Sequence, residues 1–161
     1  MLKMPHLAAL AAVLIALALT GCGSGSKQPS ISAKLISIAD PICKSIAEQR
    51  ASANAQLRTV AKSRGRTLRE LARLAPGVAS YEHEKTHVLE SLRESGTQTH
   101  SWTILLAGME ALADDTEQLG VQAKANNLKA VNSIIASAEH LKGELGVIAK
   151  REGFTYCGVT S

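Results

Sequence analysis

The 161-residue chain carries 18 lysines and arginines against 14 aspartates and glutamates, with a pI near 9.1. That excess invites nucleic acid, but the basic residues are scattered among acidic ones and aromatics make up only 2% of the chain. Without rings for bases to stack on, nucleic acid is not an expected partner.

The first element is not part of a fold. Met1 to His6 form a short head carrying Lys3, and Leu7 to Leu19 (LAALAAVLIALAL) is an unbroken apolar run. A membrane-spanning helix needs about 20 such residues, so the run reads as the apolar region of a secretory signal peptide. Leu19-Thr20-Gly21-Cys22 follows it directly and resembles the lipobox of bacterial lipoproteins. The resemblance implies a diacylglyceryl group on the Cys22 thiol and cleavage that leaves Cys22 as the first mature residue. Each buried lipid CH₂ contributes about 0.8 kcal/mol, so two or more acyl chains hold a protein on a membrane where one does not. Residues 1–21 are then the signal peptide. Residues 22–32, with the Gly/Ser-rich GSGSKQPS, are a flexible tether, and 33–161 are the folded domain. The expected location is the outer face of the cytoplasmic membrane, with Cys22 as the anchor.

From there on the apolar residues recur at helical spacing and no strand is expected. Leu35, Ala39, Ile42, Ile46, Ala53, Leu57 and Val60 form a first stripe, in which Asp40-Pro41 reads as a helix start or a bend. Leu68, Leu71, Ala75, Val78, Leu89 and Leu92 form a second, with a kink expected at Pro76-Gly77. Thr99 or Ser101 is placed to cap a third helix bearing Trp102, Leu105, Leu106, Met109, Leu112, Leu119 and Ala123. After KANN a fourth stripe runs through Leu128, Val131, Ile135, Ala138, Leu145 and Ile148. Gly153 is its stop, and Phe154 is expected to fold back on the last turn. Four amphipathic helices with short connections predict an all-α, up-down-up-down four-helix bundle. The basic cluster Arg58, Lys62, Arg64, Arg66, Arg69 and Arg73 falls around the first connection, as a solvated turn or a surface facing anionic lipid.

Three cysteines are an odd number for an exported chain. Lipidation removes Cys22 from the count and leaves Cys43 and Cys157 in a compartment where disulfides persist. An antiparallel bundle brings the start of the first helix and the end of the fourth to one end, so these two are expected to pair. The lipobox cysteine, an early Cys in the first helix, APGVASYE, SWTILLAGMEALADDTEQLGVQAKANNLKAV and the closing AKREGFTYCG together resemble small lipoproteins of high-GC Gram-positive bacteria. The resemblance implies a helical envelope protein and carries over no catalytic residue.

His83-Glu84-Lys85-Thr86-His87 matches the H-E-x-x-H signature of zinc peptidases. Such a site also needs a third ligand and an open water position. Arg93 stands where the longer His-rich form has its third histidine, Glu90 where that form has glycine, and Glu110 to Asp114 (EALAD) only faintly echoes a downstream glutamate motif. At 100° per residue the two histidines fall on the flank and outer face of their helix. They read as surface residues, so no metal and no cofactor is expected. Glu82 falls in the middle of the apolar face, where a carboxylate needs a partner. The Trp102 indole N–H and a basic side chain from a facing helix are the partners expected. A di-iron bundle would need a second Glu-x-x-His beside Glu84-His87, and the sequence offers none. The expected function is therefore a non-catalytic, lipid-anchored module binding an envelope protein, polymer or small molecule. Its rival is a zinc-dependent hydrolase using His83, Glu84 and His87.

Overall fold

Residues 31–62, 68–92 and 99–158 are described by the computed structural model, and among them the chain is all-α. The signal peptide, Cys22 and most of the tether lie outside the described residues. The helices are α1 (Ala33–Lys62), α2 (Leu68–Ser91), α3 (His100–Lys124) and α4 (Leu128–Glu152).

Local signals set most of the ends. The Ser32 hydroxyl accepts from Leu35 N–H (3.1 Å) and starts α1. Thr99 caps α3 by accepting from Trp102 N–H, and Asn127 caps α4 by accepting from Ala130 N–H. At the far end of α4, Gly153 adopts φ +96°, and Phe154 N–H reaches back to Ala149 C=O (2.9 Å). This left-handed stop turns Phe154 inward, where its ring stacks on Trp102 with centroids 5.9 Å apart.

One expectation about proline is corrected. Asp40-Pro41 does not start a helix: Pro41 lies inside α1, as Pro76 lies inside α2. Around Pro41 the buried stripe Leu35, Ala39, Cys43 runs on without a change of face. Burial of that stripe outweighs the backbone hydrogen bond the proline removes. Asp40 does not cap α1. Its carboxylate instead accepts from the backbone N–H groups of Thr155 (3.0 Å), Tyr156 (2.7 Å) and Cys157 (3.0 Å).

The helices pack around two apolar clusters. One gathers Ile31, Leu35, Ala39 and Cys43 with Leu89, Trp102, Leu105, Leu145, Phe154 and Cys157. The other gathers Leu57 with Leu71, Ala75, Val78, Leu119, Ala123 and Val131. Two glycines permit close approach between helices. A Cβ on Gly108 would collide with the Leu145 side chain, and one on Gly120 would meet the Pro76 ring at 3.2 Å. Between the clusters the Tyr81 hydroxyl donates to Ile46 C=O (2.6 Å), tying α2 to α1.

Glu152 joins three chain segments. It accepts from Ile31 N–H (3.0 Å) and from the Ser101 hydroxyl (2.8 Å), and it pairs with Arg151 (3.2 Å). Desolvation pushes this carboxyl up, but the donors from Ile31, Ser101 and Arg151 outweigh it and hold the group below its ordinary 4.5. A carboxylate lowered in the fold stabilises fully above the unfolded value, and that stability is lost as pH falls through the lowered folded value. Glu152→Gln should therefore flatten the fall in urea midpoint between about pH 5 and pH 3, relative to the unsubstituted protein. Parallel curves for the two proteins would show that this contact adds no acid-dependent stability.

Candidate functional site

The structure brings Cys43 and Cys157 together as a disulfide with Cα atoms 5.2 Å apart, within the range the bond requires. Both residues are buried in the cluster that also holds Trp102. Cys22 lies outside the described residues.

Glu82 and Trp102 are not partners. Trp102 is 1% exposed and packs with Leu89 and Phe154, and its indole N–H has no acceptor among the described residues. Glu82 stands two helical turns from Leu89, about 10 Å along the axis, which puts it out of the indole's reach. It is half-buried and pairs with Lys85 on its own helix. Among the described residues no ion pair joins Glu82 to a facing helix; the Lys142 ammonium of α4 feels its charge only from further off.

The two histidines part company. His83 turns toward α3, where Nδ1 lies 2.8 Å from Glu110 and Nε2 lies 3.8 Å from Asp114 and 3.9 Å from Glu117. His87 is exposed and belongs to no such group. His83, Asp114 and Glu117 are close enough to share a cation, but they do not form the zinc-peptidase pattern, which needs both histidines on one metal. The two carboxylates are well exposed, and the arrangement is a polar cross-link between α2 and α3.

A second candidate lies elsewhere. A groove of about 560 Å³ runs between α1 and α4 over a floor supplied by α3. This size is usual for a small-molecule site, about 300–1,000 Å³. Its apolar lining is Leu57, Leu119, Ile134 and Ile135, and its charged lining is Arg58, Lys62, Lys142 and Lys150 against Asp115 and Glu139. Lys62 and Glu139 face each other at 3.9 Å across the top. Burial lowers Lys142 from its ordinary value, and the positive charge of Arg58 and Lys62 adds to that against Glu82 and Glu139. Asp115 is raised by burial and by the Asp114 charge beside it.

The groove opens inward onto a smaller hollow of about 150 Å³, and the two share Leu57, Arg58, Thr116 and Lys142. Glu82 and Lys85 line the hollow, as does Asn54, whose Oδ1 is buried without a donor. The fold thus places a layer of polar and charged groups between its two apolar clusters.

Sequence reasoning singled out none of Asn54, Lys142 or Asp115, and took Asp40 only for a helix cap. Lys142 interrupts the α4 stripe between Ala138 and Leu145, and Asn54 follows the apolar Ala53. A search for polar residues beside the apolar faces, of the kind that found Glu82, reaches both. The basic cluster is divided by the fold. Arg58 and Lys62 line the groove, Arg69 and Arg73 are exposed on α2, and Arg64 and Arg66 fall outside the described residues. Compared with protein-family models, with curated proteins and with solved structures, the chain matches none.

Proposed function

We propose that the chain is a non-catalytic binding module, held by a lipid on Cys22 at the outer face of the cytoplasmic membrane, of the kind the small lipoproteins of high-GC Gram-positive bacteria represent. The observation that carries this reading is the Cys43–Cys157 disulfide. Disulfides persist in oxidising compartments, and this one leaves Cys22 as the free thiol of the three cysteines. The lipobox-like Leu19-Thr20-Gly21-Cys22 assigns that thiol to lipid.

An up-down-up-down order of the helices accompanies this proposal. It is supported by contacts that pair rising with falling residue numbers: Ile46 with Tyr81, Pro76 with Gly120, His83 with Glu110, Gly108 with Leu145, and Ser101 with Glu152. No helix among the described residues is long and apolar enough to cross a membrane. The open groove between α1 and α4 gives the module somewhere to bind.

Cys22→Ala should abolish incorporation of labelled fatty acid and release the chain from the membrane fraction, while the Cys43–Cys157 bond still forms. Retention of label and membrane partitioning in that variant would remove the anchor from the reading. Native protein purified without a histidine tag and holding one zinc per chain, lost together with peptidase activity in His87→Ala, would replace the module with the hydrolase.

A further inference from the structure

Resting on the reading as a binding module, we propose that the α1–α4 groove takes an amphiphile with one long apolar chain and an anionic head. The head, a carboxylate or phosphate, sits on Lys142 and Arg58, and the chain lies along Leu57, Leu119, Ile134 and Ile135.

Three features of the groove point to this chemistry. Its lining combines an apolar floor with four cationic side chains and two carboxylates. The net field is therefore positive above an apolar trough. Lys142 is half-buried, and among the described residues it has no ion pair or hydrogen bond, although Glu82 and Glu139 act on it from further off. A buried ammonium without a contacting anion is costly, and a ligand anion relieves that cost. In the inner hollow that Lys142 also lines, Asn54 presents an amide oxygen without a donor. An amide turned over places its NH₂ at the same point, so this side chain serves a head group as acceptor or as donor.

The third feature is Gly143. Glycine in the interior of a helix weakens it, and at Gly108 and Gly120 close helix packing explains the choice. Gly143 lines the groove, and a Cβ built on it meets nothing within 4 Å. Packing between helices does not require glycine there. Its effect is to leave the groove wall open along α4.

The full chain in phosphatidylcholine vesicles, exposed to photoactivatable palmitate, photoactivatable lysophosphatidate or an equally long photoactivatable alcohol, tests this through cross-links mapped by peptide mass spectrometry. The acid probes should label α1 around Leu57 and α4 between Ile134 and Lys150. The stronger of the two acids identifies the head. Lys142→Met, which removes a charge-assisted contact, should reduce groove labelling about tenfold, and the alcohol should label it weakly. Gly143→Leu should reduce labelling similarly while leaving the thermal midpoint unchanged or raised, which separates a blocked groove from a damaged fold. Equal labelling by alcohol and acids, labelling untouched by Gly143→Leu, or cross-links confined to other segments would each overturn the proposal. Membrane retention measured on the same samples reports the anchor separately, so failure of the groove and failure of the anchoring leave different marks.

Discussion

Replacing both cysteines, Cys43→Ala with Cys157→Ala, is expected to destabilise the fold by about 2–5 kcal/mol in urea denaturation of the oxidised protein. The bond spans 114 positions in sequence, so nearly the whole folded region lies within the loop it closes. Closing a loop of that length removes much of the freedom of the unfolded chain, and chain-entropy models put the effect at about 4–5 kcal/mol. The lower part of the range allows for Asp40, which still holds the tail through Thr155, Tyr156 and Cys157 when the bond is gone. Reduction of the unsubstituted protein should give the same loss. A loss under about 1 kcal/mol in both experiments would mean that the unfolded chain is already confined without the bond.

The second large effect is expected at Trp102. Trp102→Ala should cost about 3–5 kcal/mol, because it empties the largest fully buried side chain from a close-packed cluster. Trp102→Phe should cost much less. Phenylalanine keeps a ring against Phe154 and deletes an indole N–H buried without an acceptor, a group that costs about 1–3 kcal/mol when left unpaired. Equal losses for the two variants would show that the indole N–H has found a partner in solution. As the only tryptophan, Trp102 should also give blue-shifted emission that Glu82→Gln leaves unchanged, since the two do not touch.

The helices were legible because their apolar stripes are long and periodic and because Thr99 and Gly153 are local signals acting on their own neighbours. The disulfide was legible because three cysteines allow few pairings. A helix start at Pro41 was wrong because the local rule counts the lost N–H and not the burial of Leu35, Ala39 and Cys43 on either side of it. Asp40 looked like a cap for the same reason. Its partners lie 115 to 117 residues further along, a distance no local pattern crosses. The wheel put Glu82 on the apolar face of α2, but a wheel carries no height along the axis. Trp102 shares a layer with Leu89, and Glu82 shares one with Lys85 and Lys142. The groove was hidden for a different reason: it is formed by the space that two helices distant in sequence leave between them.

The return of Thr155, Tyr156 and Cys157 to Asp40 gives the last few residues an inspecting role. A ribosome completes Asp40 and Cys43 long before it reaches the tail, and the apolar hollow against Trp102 stays unfilled until Phe154 arrives. Any chain that stops short of Phe154 therefore exposes three linked faults: a carboxylate with nothing to hold, an uncovered aromatic surface and an unpaired thiol at Cys43. A truncated product therefore carries its own mark. A finished chain conceals all three in one docking step.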